Sequence, residues 1–156
     1  GEDAVFNAEA LCAKEDIRVC YIDLPLYCYF MTPGSLASRH THNDLWLLAQ
    51  TYEDCAEKAE SDRVKRIFWI EAIKRGLGAR YIRSCIPGSK QQVSECNALL
   101  KRVIYGLNRL PNVSAKDKLQ YTAFVKIPQL YRLARVIDDP TLLTMERGLK
   151  EKQEIT

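Results

Sequence analysis

The sequence predicts an all-α fold, a compact bundle of about six or seven antiparallel helices. Two observations predict it. Leu45, Leu48, Tyr52, Cys55 and Ala59 step by three and four residues, as do Val93, Cys96, Leu100, Val103 and Leu107. That spacing puts each set on one face of a helix. Turn-forming pairs then punctuate the chain at Pro33-Gly34, Pro87-Gly88 and Pro111-Asn112, which keeps the helices short and the connections tight. With 156 residues and 47% apolar composition, the chain suits one domain with a substantial core, assigned to residues 1–156.

The elements follow in order. Residues 3–15 form a first helix with Val5, Ala8, Leu11 and Cys12 on one side. Residues 16–31 carry mixed signals. Ile17, Val19 and Tyr21 alternate like a strand, whereas Asp23 before Pro25 resembles a helix start. The region 1–34 is therefore read as an irregular entry with a short helix over 25–31. A helix over 45–59 follows, with Thr41 or Asn43 as its cap. Ser61 and Asp62 break it and start a helix over 63–75 whose broad apolar surface, with Phe68 and Ile70 in the core, makes it central. Gly76 and Gly78 suit its exit. Residues 79–86 form a short helical piece stopped at Pro87-Gly88.

Ser89 and Gln92 have capping-box spacing for the helix through residue 107, which also puts Leu100 in the core. Ser114 caps a further helix bearing Leu119, Phe124 and Ile127. Pro128 kinks or restarts it, because proline lacks the backbone donor and clashes with the preceding turn. Leu130, Leu133, Ala134 and Ile137 continue the apolar side. Residues 140–156 form a last, highly charged helix that frays. Lys65-Arg66-Ile67-Phe68-Trp69 echoes Lys101-Arg102-Val103-Ile104-Tyr105, a pattern that would fit two related helical halves.

The net charge of +3 neither demands nor excludes an acidic partner. Nucleic-acid domains gather Lys and Arg on one face. Here they alternate with acids and apolar residues, so nucleic acid is not the expected partner. The longest apolar stretch, 17–31, is interrupted by Arg18, Asp23 and Pro25 and falls short of the ~20 residues of a membrane span. No secretory leader is visible, and Gly1-Glu2-Asp3 suits a mature or trimmed start that leaves secretion open.

The six cysteines are Cys12, Cys20, Cys28, Cys55, Cys85 and Cys96, with no C-x-x-C pair. A zinc ribbon or thioredoxin-type site is thereby disfavoured. All six are disulfide candidates in a secreted protein, and all six could equally be small reduced core residues. The even count, with the glycosylation sequon Asn112-Val113-Ser114, favours secretion. A cytoplasmic protein is the alternative.

No catalytic constellation emerges. His40-Thr41-His42-Asn43-Asp44 offers two imidazoles and a carboxylate, but these are the only two histidines. A polar loop leading into a helix, with no metal, is the expectation. Cys55 and Cys96 lie on apolar stripes, where thiols are usually inert. Glu53, Asp54 and Glu57 are read as a solvated helix face. Neither a phosphate-binding loop nor a dinucleotide fingerprint occurs, and no cofactor is implied.

Eight tyrosines are present, several beside cysteines. Most suit packing with a buried ring and a wet hydroxyl. Trp46 and Tyr105 lie beside rather than on the two stripes, so they are the candidates for contact with a partner protein.

Cys20, Tyr27 and Cys28 in one half, and Cys55, Tyr81 and Cys85 in the other, resemble the paired cysteine–tyrosine–cysteine pattern of the aphid salivary gall effectors called bicycle proteins. The spacing differs between the halves, and Cys12 and Cys96 fall outside the pattern. The resemblance implies a secreted insect effector that acts on a plant host by binding. Glu71-Ala72-Ile73-Lys74-Arg75-Gly76 with Pro87-Gly88 is similar to a helical stretch of phlebovirus non-structural antagonist proteins. That resemblance implies a cytosolic interaction protein with reduced cysteines. The leading expectation is a non-enzymatic secreted effector that binds a host macromolecule through a helical surface. The alternatives are a helical carrier of a small apolar ligand and a cytosolic viral antagonist-type interaction protein.

Overall fold

A computed structural model describes residues 6–8, 10 and 42–138. The described residues are helical apart from short connections and contain no strand, so the fold is an all-α bundle. Five helices follow in order: α1 (His42–Lys58), α2 (Asp62–Ser84), α3 (Lys90–Arg109), α4 (Ala115–Lys126) and α5 (Pro128–Asp138). Residues 6–8 and 10 are helical as well, and Ala8 is buried in the core. The expected short helix at 25–31 and the charged helix at 140–156 lie outside the described residues.

The core is the seam of α1, α2 and α3. Ile73, Leu77, Leu99, Leu100, Val103 and Leu107 are its largest fully buried side chains apart from Cys96. Both expected stripes face it: Leu48, Tyr52, Cys55 and Ala59 from α1 and its exit, and Cys96, Leu100, Val103 and Leu107 from α3. Leu45 and Val93 sit half-buried at the stripe ends. Phe68 and Leu100 are buried as the spacing predicts, while Ile70 is half-buried and packs against the core from its edge.

The expected end of α2 at Gly76 and Gly78 is wrong. α2 runs unbroken from Asp62 to Ser84, and residues 79–84 are its last turns. The glycines serve close approach, not termination. A Cβ on Gly76 would lie 3.0 Å from Leu100 Cδ2, so α3 packs directly against the α2 backbone. The exchange is reciprocal at Gly106 of α3, where a Cβ would lie 2.7 Å from Trp69 Cε2 and Cζ2. Glycine's usual cost in a helix, about 1 kcal/mol, is accepted because only a missing side chain admits these neighbours.

The capping box at Ser89 and Gln92 also fails. Ser89 does precede α3, but its side chain makes no cap. Its hydroxyl proton is instead shared between the carbonyls of Arg83 and Ile86 at the end of α2. Ser89 therefore closes the helix behind it rather than opening the one ahead. Gly88 between them has φ 76°, a left-handed turn conformation that glycine adopts freely. Asn43 lies within the first turn of α1, so it is not the cap.

Ser114 does cap α4, accepting from the Asp117 backbone N–H at 3.0 Å. Pro128 restarts the chain as α5, with Ile127 between the two helices. The echo between 65–69 and 101–105 does not extend to burial. Ile67 is exposed where Val103 is buried, and Trp69 is buried where Tyr105 is exposed. The two segments turn different faces to the core.

Candidate functional site

Two arginines form a buried polar seam that sequence reasoning missed. Arg80 and Arg83 lie on the same face of α2 as Ile73 and Leu77, continuing its stripe past the glycines, and both are buried. Arg80 Nη1 donates to the Val125 carbonyl at 2.8 Å and to Asn97 Oδ1 at 3.3 Å, and Nη2 donates to the Phe124 carbonyl at 2.9 Å. These carbonyls end α4, where unpaired acceptors and the helix dipole favour a cation. Desolvation lowers the pKa of Arg80 from its ordinary value, yet a guanidinium stays charged at any physiological pH.

Arg83 sits beneath Trp46. Its Cζ lies 4.7 Å from the centroid of the ring, and its Nη1 donates to the Gln92 carbonyl and toward Cys96 Sγ, each at 3.4 Å. Its buried Nε has no hydrogen-bond partner. Trp46 is accordingly half-buried, with one ring face taken by the guanidinium.

Glu53 corrects the reading of 53–57 as a solvated face. Asp54 and Glu57 are exposed, but Glu53 is buried and accepts two 2.8 Å hydrogen bonds from Arg102 Nε and Nη2. This forked pair ties α1 to α3. The hydrogen bond that Arg102 donates to Glu53 is the main reason the arginine's pKa is raised. The geometry makes Glu53 a structural anchor between α1 and α3.

Tyr105 is the expected contact residue that most clearly reaches solvent, at 64% exposure near the C-terminal end of the outer face of α3. Arg109, one turn on, stands 5.4 Å from its ring centroid and donates to its hydroxyl at 3.4 Å. Lys101, one turn back, is exposed too. The result is a tyrosine framed by cations on a helix whose opposite face is locked in the core.

Cys55, Cys85 and Cys96 are not joined to one another. Cys12, Cys20 and Cys28 lie outside the described residues. Cys96 is fully buried, and burial pushes its thiol pKa up, against the opposing pull of Arg83. Both access and ionisation therefore protect it. Native protein at mildly alkaline pH should leave Cys96 unmodified by a maleimide, and denaturant should release it for full labelling. Peptide mapping that found Cys96 labelled in the native state would refute its burial.

Asn112 lies exposed in the connection between α3 and α4, open to modification. The side chains of His40 and His42 lie outside the described residues. Among the described residues, no group of three His, Cys, Asp or Glu side chains is placed to hold a metal. No described helix is long and apolar enough to cross a membrane.

No protein-family model matches the chain, and neither the curated proteins nor the solved structures yield a match.

Proposed function

We propose that this protein is a non-enzymatic interaction protein, a secreted effector that binds a host macromolecule through the outer face of α3. The observation that carries the reading is Tyr105, held 64% exposed among Lys101, Arg102 and Arg109 on a helix anchored by five inward side chains. Tyrosine and arginine supply much of the energy at protein interfaces, because they offer large contact area and hydrogen bonds at low entropic cost. A rigid helix presents them without the further cost of ordering a loop. Trp46 is the weaker candidate, since Arg83 already occupies one face of its ring.

The packing favours this reading over carriage of an apolar ligand. Between α2 and α3 there is no room for an added methyl group at Gly76 or Gly106, so that seam cannot open into a ligand cavity without repacking. The resemblance to bicycle proteins and the sequon at Asn112 support secretion. A cytosolic antagonist-type protein is the reading to adopt if the cysteines prove reduced.

Tyr105→Ala should weaken capture of the host partner at least tenfold and leave the melting temperature nearly unchanged, since an exposed ring contributes little to folding. Affinity enrichment from host extract by both forms, with quantitative mass spectrometry, provides the measurement. Equal enrichment of every protein by the two forms would reject α3 as the binding face.

A further inference from the structure

The helical pair α4–α5 is attached to the bundle but left unfinished. No residue of α4 is buried. Tyr121, Phe124, Val125 and Tyr131 rest half-buried against the core. The opposite side carries Leu119 at 73% exposure, Leu133 at 59%, and Ile127 and Leu130 between them in sequence. Soluble surfaces scatter such residues singly, and a concentration of them marks a contact.

The charge beside these aliphatics identifies the contact. Lys116, Leu119 and Lys126 share the exposed face of α4, three and seven residues apart, and Arg132 is exposed on α5. The single acid between residues 115 and 134 is Asp117, which is half-buried and paired with Arg66 at 3.1 Å. Among the described side chains from 115 to 134, this face thus presents aliphatic chains and cations with no exposed carboxylate. A second copy of the chain would bring like charges together and is disfavoured. Long aliphatic residues flanked by lysines, whose stems lie along an apolar surface while the ammonium stays in water, match an anionic bilayer interface.

We propose that α4–α5 docks the protein on anionic lipid surfaces, with Leu119, Leu130 and Leu133 entering the headgroup boundary and Lys116 and Lys126 meeting lipid phosphates and carboxylates. The docking is peripheral and reversible. It is independent of the Tyr105 face, so either can fail alone.

Co-sedimentation with vesicles of phosphatidylcholine, alone or mixed with phosphatidylserine, tests it. The full chain should bind the mixed vesicles, release in high salt, and bind neutral vesicles far more weakly. Leu130→Glu with Leu133→Glu should abolish binding. Lys116→Gln and Lys126→Gln should each weaken it about fivefold, the effect of one cation near an anionic surface. These positions are exposed, so helicity by circular dichroism should not change, and Tyr105→Ala should bind vesicles like the unaltered protein. Absent or salt-insensitive binding to the mixed vesicles would overturn the proposal. So would binding that survives the leucine substitutions, or a dimer in sedimentation velocity that Leu133→Glu dissociates, which would give the face to a second copy.

Discussion

Phe68→Ala is expected to destabilise the protein by about 3–5 kcal/mol, the range for deleting a buried aromatic ring. Phe68 is 3% exposed and stacks on Tyr52 with ring centroids 6.0 Å apart and planes 20° apart. It thereby joins α2 to α1 in a core that also contains Ala49, Ala56 and Ala72, whose side chains are too short to fill a hole. The cavity term should therefore add nearly in full to the lost transfer energy. Urea unfolding followed by circular dichroism would show the midpoint fall with the slope unchanged. A loss under about 1 kcal/mol would mean that this helix face has been placed wrongly.

Arg80→Met should cost about 2–3 kcal/mol, and the loss should be local. Methionine matches the length and retains the packing of the stem, but the ends of α4 lose their donors. Hydrogen bonds to a charged group contribute about 1.5–3 kcal/mol each, and the recovered desolvation of the guanidinium offsets part of the total. Phe124 and Val125 carry the freed carbonyls, and α4 is held otherwise by half-buried side chains such as Tyr121, Phe124 and Val125 and by the Asp117–Arg66 pair. Amide exchange should accelerate across α4 and α5 by roughly thirtyfold or more, as the free-energy change requires. The α2–α3 core should stay protected. Uniform acceleration through the core, or none at all, would show that Arg80 does not act as the clamp on α4.

The sequence by itself determined the helical class, the core stripes of α1 and α3, the breaks at Ser61 and Pro111, the cap at Ser114 and the restart at Pro128. Each is a local matter. A stripe at steps of three and four can bury one face only as a helix, and a serine cap or a proline acts within a single turn.

Tertiary structure decided the rest. Gly76 looked like an exit because a glycine after an apolar run usually ends a helix. Its missing side chain was instead answered by Leu100, which lies on another helix and is invisible to local pattern. Ser89 had two possible jobs, and the carbonyls of Arg83 and Ile86 took its proton. Glu53 read as solvated because its acidic neighbours are, yet Arg102 reaches it from α3 across the bundle. Arg80 could be buried only because the carbonyl ends of α4 were delivered to it. Hydrophobic periodicity reports the face a helix turns inward. The partner of a glycine, or of a buried charge, depends on which helix is brought opposite, and that is set only when the bundle closes.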